Sequence, residues 1–149
     1  MEGSVFSNVR LAQAPDRNQL AKMRTSLWPD ALIEEHLDEP GGTLPTAVFV
    51  AHDDASELIG FLEVGLRSHA DGCDTARPVG FVEGWFVQEG FRTRGVGRAL
   101  MRAAEEWARA QGCVEMASDT LIDNPDGQLA HQALGFEIVD RCVHYRKNL

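Results

Sequence analysis

Apolar side chains recur along this chain in two periods, and the changes of period mark out its elements. Between residues 95 and 111, Val96, Leu100, Ala103, Ala104 and Trp107 fall at i, i+4, i+7, i+8 and i+11, with arginines and Glu105-Glu106 elsewhere. That spacing predicts an amphipathic helix, which Gly112 ends. Leu20, Met23 and Leu27 repeat the helical spacing after Pro15-Asp16, a helix opening, and Trp28-Pro29 closes that helix. The period drops to that of strands over 46–51 and 58–66. These β-branched and aromatic runs flank a turn rich in Asp and Ser, which predicts an antiparallel hairpin.

The remaining segments follow the same logic. Strands are predicted over 9–13, 79–87, 114–120, 136–140 and 143–147, and helices over 30–37 and 126–134, with Gly135 capping the last helix. The short helix at 30–37 carries Glu34 and Glu35, with Asp38 just beyond it, a pattern usual for a solvated face, and Pro40-Gly41-Gly42 breaks the chain after it. The resulting order, β-α-α-β-β-β-α-β-α-β-β, is that of a mixed α/β fold in a single domain spanning 1–149. The run VGFVEGWFV at 79–87 is interrupted by Glu83 and Gly84. A glycine within a strand suggests a bulge or a close backbone approach, and a carboxylate there needs a partner or a task.

Composition narrows the function classes. With 14 Lys+Arg against 23 Asp+Glu and a net charge of -9, the chain is a poor match for nucleic acid, whose phosphates require a basic face, and it favours cationic partners. No segment approaches the length of a membrane span, and the first residues lack a signal-peptide pattern, so a cytoplasmic, unexported protein is predicted. Cys73, Cys113 and Cys142 are an odd count without C-x-x-C spacing, which points to reduced cysteines and no metal site.

Against that acidic background, FRTRGVGRAL at 91–100 gathers Arg92, Arg94 and Arg98 around Gly95 and Gly97, with Arg102 beyond, between an apolar strand and a helix N-terminus. Glycines there let backbone wrap an anion, while first-turn N–H groups and the helix dipole point at it. The spacing is neither that of a P-loop nor that of the dinucleotide fingerprint. What remains is R-x-x-G-x-G after a bulged strand.

This motif resembles the signature of the GCN5-related N-acetyltransferases (GNAT), and HQALGFE at 131–137 resembles their late helix-turn-strand pattern. LWP at 27–29, GCD at 72–74, VEG-x-FV at 82–87, EMASDT at 115–120, HQALGFE and YRK at 145–147 together resemble the aminoglycoside 6′-N-acetyltransferases. The resemblance implies a GNAT fold, a mostly antiparallel twisted sheet flanked by helices with a splayed, bulged central strand. It also implies acetyl-CoA as co-substrate, a polycationic aminoglycoside as acceptor, and a homodimer in which C-terminal strands cross or abut. The net charge of -9 suits such an acceptor on independent grounds.

Residue roles follow from the same resemblance. Thr93, Arg94, Gly95, Val96, Gly97 and Arg98, with Arg92 beside them, would hold the pyrophosphate. The backbone at Trp85, Phe86 and Val87 would bind the pantetheine arm and the thioester carbonyl, and Asn124 would hydrogen-bond the cofactor or cap a helix. Glu83 and Asp119 would bind substrate ammonium groups and accept the attacking amine's proton through water; an isolated strand carboxylate otherwise reads as a structural ion pair. Glu137 and Trp28 are further substrate contacts, the tryptophan being equally readable as a helix-end core residue. Two positions depart from the pattern. His69 stands where relatives of this branch have tyrosine, four residues before the cysteine of GCD. His131 replaces the commonest thiolate-protonating tyrosine, which leaves His131, Tyr145 or solvent as the acid, or His131 as a packed structural residue. Other amine acetyltransferases and an inert coenzyme A-binding module are the competing classes.

Overall fold

The computed structural model describes residues 8–29 and 44–149. The hairpin pattern is realised as β2 (Thr46–His52) and β3 (Leu58–Arg67), paired antiparallel. β1 (Val9–Leu11) lies antiparallel on the outer side of β2, and β4 (Val79–Val87) lies antiparallel on the other side of β3. The chain then crosses over through α2 (Val96–Ala110), so that β5 (Met116–Ser118) returns parallel to β4, as a crossover connection allows. The strand order is therefore β1-β2-β3-β4-β5. α1 (Arg17–Leu27) follows a short 3-10 turn at Ala14–Asp16, and α3 (Pro125–Ala133) follows β5.

The period-2 pattern of the sheet feeds two cores on opposite faces. Ile59, Leu62, Val64 and Val82 point to the side covered by α2, where they pack on Val96, Leu100, Met101 and Ala104. Val48, Val50 and Phe61 point to the other side and pack on Leu20 and Met23 of α1. One polar pair interrupts this second core. Arg24, on the same helical stripe as Leu20, donates through Nε to Glu63 of β3, and both side chains are buried.

Three expectations change. The strand expected over 114–120 contracts to Met116–Ser118, which pair with Gly80 to Val82 before pairing between the two strands ends. The two strands expected over 136–140 and 143–147 do not form: residues 136–149 carry neither helix nor strand. Their alternating pattern marks a half-buried surface, and a strand needs an edge to pair with as well as a pattern. Ile138, Val139, Val143 and Tyr145 are accordingly exposed. The helix expected over 30–37, with Glu34, Glu35 and Asp38, lies outside the described residues.

Candidate active site

The site begins with a fault in the β3–β4 ladder. Gly84 faces Glu63 while Val82 faces Val64, so Glu83 is the extra residue of a bulge. On its other edge β4 pairs with β5 only as far as Val82 opposite Ser118. Beyond that pair the two strands part, and a fork opens whose edges are Glu83 to Val87 on one side and Asp119 onward on the other. Gly84 also admits a close neighbour. A Cβ there would stand 2.5 Å from Cη2 of Trp28, whose half-buried ring lies over the bulge and meets Phe61 edge-on.

Alternation along the strands sorts the candidate residues onto the two faces. Glu83 lies on the α1 face, where its carboxylate accepts two hydrogen bonds from Arg67, at 2.9 and 2.8 Å. The Arg67 guanidinium in turn lies 3.5 Å above the Phe81 ring. The strand carboxylate therefore has the ion-pair partner that its isolation demanded, yet the pair remains about 40% exposed and open to a competing cation. Asp119 follows Ser118, the last residue of β5; it is exposed and has no hydrogen bond or ion pair among the described residues. Trp28 joins Glu83. His69 is exposed and stands 3.7 Å from Asp71, and Glu137 is exposed in the C-terminal segment. The structure thus brings Glu83 and Trp28 to one side of the fork at the bulge, sets Asp119 just past the end of β5, and records no direct contact of His69 or Glu137 with them.

The opposite face carries the glycine-arginine turn at 92–98. Thr93 and Gly95 both take left-handed backbone conformations, φ 64° and 85°, with Arg94 between them. Such alternation turns successive N–H groups toward one side. The first helical bond of α2 runs from the Ala99 N–H to the Gly95 carbonyl, at 3.0 Å, so the N–H groups of Val96, Gly97 and Arg98 have no helical acceptor. Gly97 permits close approach. A Cβ there would stand 3.1 Å from Cζ2 of Trp85, and Trp85 Nε1 is a buried donor without a partner among the described residues. Free N–H groups, an orphaned indole donor and a glycine-lined surface fit a group rich in oxygen acceptors, such as the diphosphate and pantetheine of coenzyme A. Arg92 Nε ties the loop to the Val87 carbonyl at 2.9 Å, and Arg94 lies near the Phe91 ring. Arg98, Arg102 and Arg109, interleaved with Glu105 and Glu106, line a cleft of about 370 Å³ between α2 and Leu134. Phe86 contributes backbone alone on this side, since its ring packs beside Phe61 in the α1 core.

Asn124 and His131 are both spoken for locally. Asn124 Oδ1 accepts from the Gly127 N–H at 3.0 Å and caps α3, which leaves its amide hydrogens to donate elsewhere. His131 is half-buried, with Nε2 2.7 Å from Ser118 Oγ and Nδ1 2.6 Å from the Gly127 carbonyl. Trp85 and Phe136 stand edge-on to its ring at 5.2 and 5.3 Å. Among the described residues, no group of three or more His, Cys, Asp or Glu side chains is arranged to hold a metal.

Four residues escaped sequence reasoning. Arg67 and Ser118 carry no local signal, because each acquires its partner only when strands or a helix meet. Glu63 did carry one: it is a carboxylate inside the apolar run LIGFLEVGL, and Arg24 at i+4 from Leu20 sits on the apolar stripe of α1.

The acetyltransferase (GNAT) family matches residues 14–136. An aminoglycoside N(6′)-acetyltransferase type 1 from Klebsiella aerogenes is 40% identical over 147 residues, covering 95% of this chain and 96% of its own. Among solved structures, AAC(6′)-Iy in complex with coenzyme A aligns with a TM-score of 0.84 at 37% identity, over 95% of this chain and 94% of that one. The same enzyme in complex with the bisubstrate analogue CoA-S-monomethyl-acetylneamine gives a TM-score of 0.82 at 36% identity, over 95% and 97%.

Proposed function

Because the chain belongs to the acetyltransferase (GNAT) family, we propose that it is an aminoglycoside 6′-N-acetyltransferase, which moves the acetyl group of acetyl-CoA to the 6′-amine of aminoglycosides and so confers resistance. The observation that carries this reading is the division of the β4–β5 fork. N–H groups and arginines around 93–98 lie on one side, Glu83 lies on the other, and Asp119 follows the last paired residue of β5.

In this reading the fork is where the two substrates meet, and their mutual orientation supplies much of the rate. Thr93 to Arg98, with Arg92 alongside, bind the pyrophosphate, and the spare amide hydrogens of Asn124 add a donor. The free edge of β4 at Trp85, Phe86 and Val87 holds the pantetheine arm, the Trp85 N–H donating to the thioester carbonyl as negative charge gathers there. Glu83 and Asp119 bind ammonium groups and take the attacking amine's proton through water. Trp28 closes that side above the bulge, and His69 and Glu137 are outer substrate contacts. Attack is direct, with no covalent enzyme intermediate. The net charge of -9 draws a polycation toward the site. The enzyme works in the cytoplasm as a homodimer, and the exposed apolar side chains of the C-terminal segment supply the contact between copies.

Coenzyme A thiol release from acetyl-CoA, measured against kanamycin, tobramycin, a 6′-hydroxyl aminoglycoside, spermidine and a lysine peptide, tests the reading. Turnover of the 6′-amino compounds that disappears with the 6′-hydroxyl compound is expected. Release with only spermidine or the peptide would overturn the aminoglycoside assignment.

A further inference from the structure

We propose that Ser118 is a catalytic residue: its hydroxyl protonates the departing thiolate and is resupplied by His131. The proposal rests on the acetyl-transfer reading above and names a participant which that reading leaves open.

The hydrogen-bond geometry of His131 sets the direction of proton flow. A carbonyl only accepts, so the 2.6 Å contact with the Gly127 oxygen keeps a hydrogen on Nδ1 in either charge state. In the neutral ring Nε2 is then a lone pair that accepts the Ser118 hydroxyl, 2.7 Å away. In the charged ring the bond reverses: Nε2 donates to Oγ, and the Ser118 hydrogen is released toward another acceptor. The ring stands between Trp85 and Phe136, which hold it across the fork. His131 itself is thus committed at both nitrogens, and Ser118 is the group of the pair able to turn a hydrogen outward.

The position of Ser118 suits that task. It is the last residue of β5 paired with β4, opposite Val82, and its side chain lies on the same face as Trp85. Under the proposed function the acetyl carbonyl sits against the free β4 edge just beyond that pair, so the sulfur leaves at the crotch of the fork.

The step balances. The C–S bond breaks with its electron pair on sulfur, and sulfur takes the Ser118 hydroxyl proton. Oγ takes the Nε2 proton, and the imidazole is left neutral with Nδ1–H on Gly127. His131 then recovers a proton from water. The ammonium loses two protons on becoming an amide and one is returned to sulfur, so one proton is released per turnover.

The test is the single-turnover acetyl-transfer rate, by rapid quench in H2O/D2O mixtures, with whichever amine the wild-type enzyme accepts. Failure of the aminoglycoside reading would therefore appear in the acceptor panel and leave this test standing. Ser118→Ala is expected to slow the step about 100-fold, with KM for acetyl-CoA within about twofold and the wild-type curved proton inventory made linear. Ser118→Thr, which keeps a hydroxyl, is expected to restore the curvature and most of the rate, and His131→Gln to behave like Ser118→Ala. A Ser118→Ala rate within threefold of wild type overturns the proposal. So does a slow Ser118→Ala variant that keeps the curved inventory, or a Ser118→Thr variant as slow as the alanine.

Discussion

The guanidinium of Arg24 meets the carboxylate of Glu63 inside the protein, at the residue of β3 that faces Gly84 across the bulge. A polar pair at this point ties α1, and through it Trp28, to the strand that shapes the fork. Removing Glu63 takes from the buried Arg24 guanidinium the carboxylate to which its Nε donates. Glu63→Leu is therefore expected to destabilise the fold by roughly 3–5 kcal/mol, and Arg24→Met with Glu63→Leu to recover most of that loss. Urea titration of the two single variants and the double variant checks both statements.

Glu83 and Arg67 form the opposite case, an exposed pair whose contribution to stability is small, about 0–1 kcal/mol. Glu83→Gln should leave Tm within a few degrees of wild type. On the proposed function it lowers kcat/KM for a 6′-amino aminoglycoside about 100-fold, chiefly where the carboxylate holds or deprotonates the amine. A variant as active as wild type would remove Glu83 from the site.

A Cβ on Gly97 would stand 3.1 Å from Cζ2 of Trp85, so the indole beside the glycine turn would have to shift by a few tenths of an ångström. Gly97→Ala is expected to raise the Kd for coenzyme A about tenfold, equivalent to about 1.4 kcal/mol, while the fold is retained. Isothermal titration calorimetry reads this without any acceptor substrate.

Gly84→Ala drives a Cβ into the Trp28 ring. Moving that ring should cost about 1–3 kcal/mol as overpacking, and it should raise KM for the amine acceptor more than KM for acetyl-CoA. Equal effects on the two KM values would place Trp28 outside the acceptor side of the fork.

Away from the site, Asp16 accepts from Arg10 at 2.7 and 3.0 Å and from the Gln13 N–H at 2.7 Å. The hydrogen bond from Arg10 is the main reason its carboxyl titrates below the usual 3.8, against the opposing effect of burial. A depressed folded-state pKa adds stability at pH values above 3.8, and that stability is lost as pH falls through the lower folded value. Asp16→Asn should therefore lower Tm at pH 7, and the gap between variant and wild type should narrow as the pH is brought below 3.8.

Much of this architecture is legible in the one-dimensional pattern, for reasons that differ by element. The helix at 96–110 and the strand at 79–87 are long, strongly periodic and flanked by glycine or by turn residues, so local sequence and tertiary burial agree. The interruption of 79–87 at Glu83-Gly84 announced the bulge, because neither residue belongs in an uninterrupted ladder. The strands expected beyond Gly135 failed for the converse reason: alternation describes what a surface would suit, and no described edge meets it. The turn that opens α2 at Gly95 was readable from glycine spacing. Its left-handed Thr93 was not, since a β-branched residue is among the least expected at positive φ. Ser118 and Arg67 stayed hidden because their significance lies in pairings between distant residues.

The sheet also has an unequal history built into its connections. β2, β3 and β4 are joined by short, sequence-local antiparallel links, whereas β5 reaches β4 only after the chain has laid down α2. Contacts that close long loops form late, and elements with few pairings open first in native-state fluctuations. The fork, like the β1–β2 edge with its three pairs across a long connection, is thus among the last seams of the sheet to be sewn and the first to part. A ligand lodged across it, binding only the assembled form, should slow amide hydrogen exchange most in β5 and α3 and leave the β2–β3 hairpin nearly unchanged.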